Sequence, residues 1–176
     1  MRIMETRIPG AFIIEAERIA DERGFFALAW GQSEFTAHGL NANLAQCNFS
    51  YNHRRGTVRG MHWQAPPHAE TKLVRSVQGG IYDVIVDIRE DSTSYRQWVG
   101  VELTAENHHA LYIPEGCAHG FQTLEDATEV FYMITEYYAP ADARGMRWND
   151  PAINVSWPLA VTVISERDAQ YPDFLT

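Results

Sequence analysis

The chain of 176 residues is long enough to bury one ordinary hydrophobic core, and its 45% hydrophobic, 21% charged and 12% aromatic content is that of a folded globular protein. A formal net charge of −9 disfavours broad contact with nucleic acid or an acidic membrane, because those partners need a basic surface to release counterions. An anionic small molecule stays open as a partner if a local basic patch works against the global field, and Arg23, Arg54, Arg55, Arg59, Lys72 and Arg75 are the candidates for it.

The segment Met1 to Ile8 lacks the apolar stretch of a signal peptide and no run is long enough to span a bilayer, so a soluble, cytoplasmic protein is expected. The two cysteines, Cys47 and Cys117, are then expected to be reduced. Short apolar runs at Ile3 and at Phe12 to Ile14 flank Pro9-Gly10, the punctuation of a turn between strands. Asp21 to Gly24 is a charged turn entering the aromatic strand Phe25-Phe26, and in that setting Arg23 reads as a solvated turn charge. Ser33 is expected to cap a short helix that Gly39 stops.

Beyond it the chain is repetitively extended. Gln46 to Tyr51 alternates polar with apolar, and His53 to Gly56 makes a basic turn before a strand from Thr57 to Gln64. Ala65-Pro66-Pro67-His68 must be a loop, since proline donates no ladder hydrogen bond. Lys72 to Gln78 and Ile81 to Ile88 read as two strands joined by a tight hairpin at Gly79-Gly80. In the second, Tyr82, Val84, Val86 and Ile88 share one face and Asp83, Ile85 and Asp87 the other. Trp98 to Leu103, Ala110 to Ile113, Cys117 to Gln122 and Glu129 to Tyr137 complete the strands, and four prolines punctuate an irregular C-terminal third. Many short strands with glycine and proline turns and almost no helix predict an all-β antiparallel sandwich or barrel, the double-sheet jelly roll being favoured, in one domain over residues 1–176.

Arg59-Gly60-Met61-His62-Trp63-Gln64 and Lys72-Leu73-Val74-Arg75 place an arginine, a histidine and a lysine along extended apolar sequence, which reads as the catalytic strand pair of an enzyme. His62 and His119 both lie near glycines within strong strand signals. One histidine alone would read as a core residue bonded to backbone; two point to a site. A metal-binding barrel wants two histidines one residue apart on a strand, and Gln64 stands where the second would be, so no metal is expected. Arg59, His62, Lys72, His119 and Tyr132 instead suit acid–base chemistry on an anionic substrate, with a cation near the developing oxyanion. Tyr132 reads equally as a proton donor on the far face or as a barrel-lining aromatic. On a regular strand Arg59 and His62 would point to opposite faces, and a bulge at Gly60 would bring them into one cavity.

The runs Arg59 to Gln64, Lys72 to Arg75, Asp83 to Arg89, Ile113 to Phe121, Tyr137 to Pro140 and Arg147 to Pro151 resemble, in order, the dTDP-4-dehydrorhamnose 3,5-epimerase family. The resemblance implies an all-β, cupin-type double-stranded β-helix (jelly roll) with short peripheral helices, a homodimer that shares its nucleotide site between subunits, no cofactor, and metal-independent epimerisation of a nucleotide-diphosphate 4-keto-6-deoxy sugar through an enolate. By matching position it implies His62 as base with Asp168 as its dyad partner, Lys72 and His119 near the enolate oxygen, and Tyr132 returning the proton. It further implies Arg23, Gln46, Asn48 and Arg59 at the nucleotide and diphosphate, with Tyr138 and Arg167 also touching substrate. Leu28 and Ala143 stand where the family often has glutamates, and Met133 where it has lysine, which leaves the nucleotide, the sugar and the choice of C3, C5 or both open. A metal-dependent cupin and a non-catalytic sugar-binding jelly roll are the alternatives.

Overall fold

The computed structural model describes residues 1–174. Its elements run β1 (Arg2–Glu5), β2 (Phe12–Glu15), β3 (Ile19–Asp21), β4 (Gly24–Phe26), α1 (Gln32–Ala37), β5 (Gln46–Asn52), β6 (Thr57–Gln64), β7 (Lys72–Gln78), β8 (Gly80–Asp87), β9 (Trp98–Thr104), β10 (His109–Ile113), β11 (Cys117–Thr123), β12 (Thr128–Ile134), β13 (Ala143–Gly145), β14 (Val163–Ile164) and α2 (Glu166–Ala169). One sheet has the order β1-β2-β10-β7-β12-β5 and the other β13-β6-β11-β8-β9, with β14 added parallel to β6 and a separate β3–β4 hairpin. From β5 to β12 the chain steps from sheet to sheet at every connection except β8 to β9. This is the double-sheet jelly roll that the strand pattern predicts, of the cupin type that the resemblance implies.

The crossing topology takes apart two strand pairs that the sequence suggests. β7 and β8 do not form a hairpin at Gly79-Gly80, and β6 and β7 are not neighbours; in both cases the two strands lie in opposite sheets. Both β7 and β8 must bury one face in the same core, and facing one another across the sandwich achieves this. Gly79, at φ +66, turns the chain through the corner, where a Cβ would lie 2.5 Å from the Thr128 hydroxyl. The helix is also entered differently from expectation. Gly31 is its N-cap with no side-chain bond, and the Ser33 hydroxyl donates instead to Glu34 Oε2 at 2.7 Å. Gly39, at φ +71, does stop it.

Val74, Leu111, Ile113 and Val130 from the first sheet meet Ile81, Ile85, Leu103 and Phe121 from the second in one buried cluster. Each such side chain contributes about 1.5–3 kcal/mol when fully buried. The outer face of the first sheet (Ile14, Leu73, Ala110, Tyr112, Met133) is covered by Phe35 of α1 and by Leu40. The outer face of the second (Val84, Val86, Ala118) is covered by Met146, Ile153 and Trp157 from the C-terminal third. The core therefore fills one part of the space between the sheets, and the remainder is a cleft.

Asp87 is the main buried charge of the scaffold. It is 0% exposed and accepts from Arg89 Nε at 2.8 Å, Ser92 Oγ at 2.5 Å and Ser94 Oγ at 2.6 Å, while Arg89 also donates to the Pro9 carbonyl. Burial alone would raise its pKa, but these bonds outweigh it and bring the carboxyl down to about 2. A depressed carboxyl stabilises the fold above its unfolded pKa and loses that contribution as the pH falls through the folded value. Asp87→Asn is accordingly expected to remove ~2 kcal/mol at neutral pH. It should also flatten the loss of stability between about pH 4 and pH 2, as urea unfolding at a series of pH values would record.

Candidate active site

The cleft opens between β5, β7 and β12 of one sheet and β6 and β11 of the other. Its larger lobe, of about 590 Å³, is lined by Arg59, His62, Lys72, His119, Tyr132 and Asp168 among others. A second lobe of about 240 Å³ shares His62, Lys72, Tyr132 and Arg167 and adds Gln46, Asn48, Glu70, Tyr138, Ala143 and Tyr171. The structure thus brings together every residue to which the resemblance gives a site role except Arg23. That arginine lies on the β3–β4 hairpin, 83% exposed and paired with Asp21, outside the cleft of its own chain. Arg75 is also elsewhere, donating to the Ala29 carbonyl at 2.7 Å.

The bulge at Gly60 is present. His119 pairs with His62 and Phe121 with Arg59, so one more residue lies on β6 than on β11 over that interval. Arg59 and His62 consequently face the same lobe. Only glycine fits: Gly60 has φ +122, and a Cβ there would lie 2.5 Å from Gly120 Cα and 2.8 Å from the His119 carbonyl oxygen. The bulge also frees the Gly60 N–H from the ladder, and it donates to Asp168 Oδ2 at 3.1 Å.

Asp168 reaches this position through a short, well-specified segment. β14 docks parallel to β6, with Val163 opposite Thr57 and Ile164 opposite Val58. Ser165 then caps α2 by accepting from the Asp168 N–H at 3.1 Å. The carboxylate is 3% exposed and accepts from His62 Nε2 at 2.8 Å. Burial pushes the carboxyl up, but the His62 bond, the imidazole charge, the Gly60 N–H and Arg167 together hold it below the ordinary range. It is therefore an anion at neutral pH, and in the neutral ring it selects the His62 tautomer with the proton on Nε2, so that Nδ1 is the atom able to accept one.

The other polar groups are paired too. Lys72 Nζ sits 2.9 Å from Glu70 Oε1, with the two side chains 11% and 10% exposed. Arg59 donates to Asn52 Oδ1 at 2.8 Å. His119 Nε2 bonds to Asp83 Oδ1 at 2.7 Å, and Asp83 is 0% exposed. Tyr132 stands on the opposite sheet from His62; burial raises its phenol pKa, Arg59 lowers it and Glu70 raises it, with a net rise. Gln46, Asn48 and Ser50 face the cleft from β5, alternating with outward Cys47, Phe49 and Tyr51.

Sequence reasoning passed over three contributors. Glu70 and Lys72 are two apart, the spacing that shares a strand face, so that pair was findable. Asp83 falls on the core face of β8 by strict alternation, and an aspartate among isoleucines asks for a partner. Tyr171 had no local signal. Its ring meets His62 edge-on at 5.8 Å and lies near the Arg167 guanidinium. Gly145, the β13 residue opposite His62, leaves room for it, since a Cβ there would be 2.4 Å from the ring. Among the described residues no group of three or more His, Cys, Asp or Glu is arranged to share a metal ion, and no helix is long and apolar enough to cross a membrane.

The family description that matches residues 5–175 is dTDP-4-dehydrorhamnose 3,5-epimerase. The chain is 41% identical over 176 residues to the Shigella flexneri protein of that name, covering 99% of this chain and 97% of the relative. It superposes with a TM-score of 0.94 at 40% identity on the Bacillus anthracis dTDP-4-dehydrorhamnose 3,5-epimerase solved with TDP and PPi bound, covering 98% of both chains. The Legionella pneumophila enzyme in complex with dTDP-4-keto-L-rhamnose is similar at a TM-score of 0.91 and 36% identity, covering 98% of this chain and 92% of that one. The chain belongs to the dTDP-4-dehydrorhamnose 3,5-epimerase family.

Proposed function

We propose that the protein epimerises a nucleotide-diphosphate 4-keto-6-deoxy sugar, dTDP-4-dehydro-6-deoxyglucose being the first candidate, at C3, C5 or both, without metal or cofactor. The observation that carries this reading is the placement of His62 and Tyr132 on opposite walls of one cleft. The C4 ketone acidifies the C–H bonds at C3 and C5. His62 Nδ1 takes one of these protons, the bonding pair moves to the C4 oxygen as an enolate, and Asp168 stabilises the imidazolium. Lys72 and His119 stabilise the enolate oxygen. Tyr132, kept a neutral phenol by its surroundings, returns a proton from the far side and regains one from solvent, while His62 gives up to solvent the proton that it took, so that both groups are restored. Inversion follows because removal and return occur on different faces.

Arg59, Arg167, Gln46, Asn48 and Tyr138 provide the cationic, polar and aromatic contacts that a nucleoside diphosphate sugar needs. A homodimer is part of the reading. Ile19, Phe25 and Phe26 on the β3–β4 hairpin and Phe49 and Tyr51 on the outward face of edge strand β5 are exposed, and such apolar area favours a second copy. Arg23 on that hairpin would then complete the partner's nucleotide site. The residues 1–176 act as one domain, in the cytoplasm, where the free thiols of Cys47 and Cys117 are expected to persist.

The test is proton exchange. In deuterated water the wild-type protein should replace the C3 or C5 hydrogens of dTDP-4-dehydro-6-deoxyglucose with deuterium and invert those carbons, followed by NMR. Absence of exchange from a folded dimer with any 4-keto-6-deoxy nucleotide sugar would sink the reading. A stoichiometric iron, manganese or zinc on His62 and His119, sought by elemental analysis, would move it toward a metal-dependent cupin.

A further inference from the structure

Gln64 ends β6, two residues beyond His62, and is 4% exposed in the wall of the smaller lobe. All of its amide hydrogen-bonding is directed at backbone. Its oxygen accepts from the Ala139 N–H at 2.7 Å, and its nitrogen donates to the Tyr137 carbonyl at 3.2 Å and to the His68 carbonyl at 2.9 Å. Two of these bonds bracket Tyr138 on either side. The Tyr138 ring lines the same lobe yet is 58% exposed, so packing around the ring does little to fix it. What holds this residue is its backbone, and the backbone is held by Gln64.

The surrounding loop repeats the arrangement. Ala65 N–H donates to the Asp142 carbonyl at 2.9 Å, and His68 Nδ1 bonds to the Asp142 carboxylate at 2.7 Å. The proline loop after β6 is thus tied to the segment between β12 and β13, with the Gln64 amide at the centre.

We propose that Gln64 is the positioning residue for Tyr138, setting the wall of the lobe next to His62; this rests on the reading of the cleft as an epimerase site. The residue type follows from the partners. The Tyr137 carbonyl needs a donor and the Ala139 N–H an acceptor, and a carboxamide supplies both from one side chain. Glutamate would only accept and methionine would do neither. The position at which a metal-binding barrel would use a second histidine is here given to organising the substrate wall.

The experiment compares Gln64→Met, Gln64→Glu, Tyr138→Ala and the double variant Gln64→Met/Tyr138→Ala with wild type, by steady-state epimerisation and by hydrogen exchange of residues 137–139. Gln64→Met should speed exchange of the Ala139 amide. It should also lower kcat/KM by about ten- to a hundredfold, the scale of an ångström-level misplacement. In the Tyr138→Ala background the same change should add little further loss, because the residue through which it acts is gone. If Gln64→Met does not fold, Gln64→Glu, which keeps the acceptor for the Ala139 N–H but removes the donor to the Tyr137 and His68 carbonyls, should show the same loss of kcat/KM and the same lack of further loss beside Tyr138→Ala, with the Ala139 amide still protected. Unchanged Ala139 exchange in a folded Gln64→Met, unchanged kcat/KM in Gln64→Glu, or losses that multiply when either is combined with Tyr138→Ala, would overturn the proposal. A wild-type protein that turns over no nucleotide sugar would overturn the epimerase reading instead, and the exchange at Ala139 would then decide on the clamp by itself.

Discussion

Substituting alanine for His62 should lower turnover by roughly a thousandfold, the middle of the range for losing a positioned general base, while leaving affinity for the bare nucleoside diphosphate nearly unchanged. The two effects separate because the groups proposed to hold the nucleotide, Arg59, Gln46, Asn48 and Arg167, are other side chains. His62 is held from both sides, by Asp168 at 2.8 Å and by the edge of Tyr171. Removing the ring strands a buried carboxylate, so His62→Gln is the companion variant: its amide nitrogen takes the place of Nε2 and can still donate to Asp168, but it cannot take a proton from carbon. Both should lose turnover alike, with the glutamine variant nearer wild type in thermal stability. Initial rates and calorimetric nucleotide binding would record this, and turnover at the wild-type level in either variant would remove His62 from the role of base.

Gly60→Ala is expected to cost about 3 kcal/mol of stability, combining a backbone conformation that L side chains rarely adopt with overpacking against a neighbouring strand. The obstructing atoms are the Gly120 Cα and the His119 carbonyl oxygen, backbone atoms that cannot rotate away. Any relief by straightening β6 would turn Arg59 and His62 to opposite faces and withdraw the Gly60 N–H from Asp168, so the folded fraction should also be nearly inactive. Gly39→Ala is the control. It has positive φ as well, but a Cβ there meets nothing within 4 Å, and a cost of only ~1 kcal/mol is expected. Denaturant unfolding of the two variants separates the contributions; equal, small losses would mean that the close approach at Gly60 has no energetic weight.

Much of the cleft could be read from residue types. Arg59, His62 and Lys72 are costly to place on apolar strands without a purpose, and Gly60 was needed to reconcile their spacing with one face. Strand alternation grouped Asp83 and Asp87 with Ile85 on one face of β8, the face that the structure turns to the core. The misread strand pairs share one physical cause, which is that local patterns do not reveal which sheet a strand joins. Gly79-Gly80 looks like a hairpin turn, yet it is a corner, because the demand that β7 and β8 each bury a face in one core overrides the local preference. Ser33 looks like a helix cap, but the cap is Gly31, two residues earlier, which leaves the serine inside the helix. Glu70 was visible by spacing alone once Lys72 was suspected. Tyr171 was not, since its contact with His62 depends on β14 and α2 folding back onto β6 and on the space left by Gly145.

The proposed chemistry depends on two groups acting from two sheets, and Tyr132→Phe addresses this most directly. With the phenol oxygen removed and His62 intact, the base can still take a proton, exchange it with solvent through its partly exposed ring, and return a deuteron to the face from which it came. In deuterated water the variant should therefore still incorporate deuterium next to the ketone, while inverted product falls by about a hundredfold or more. Loss of exchange and of inversion in equal measure would contradict removal by His62 and return by Tyr132 on opposite faces.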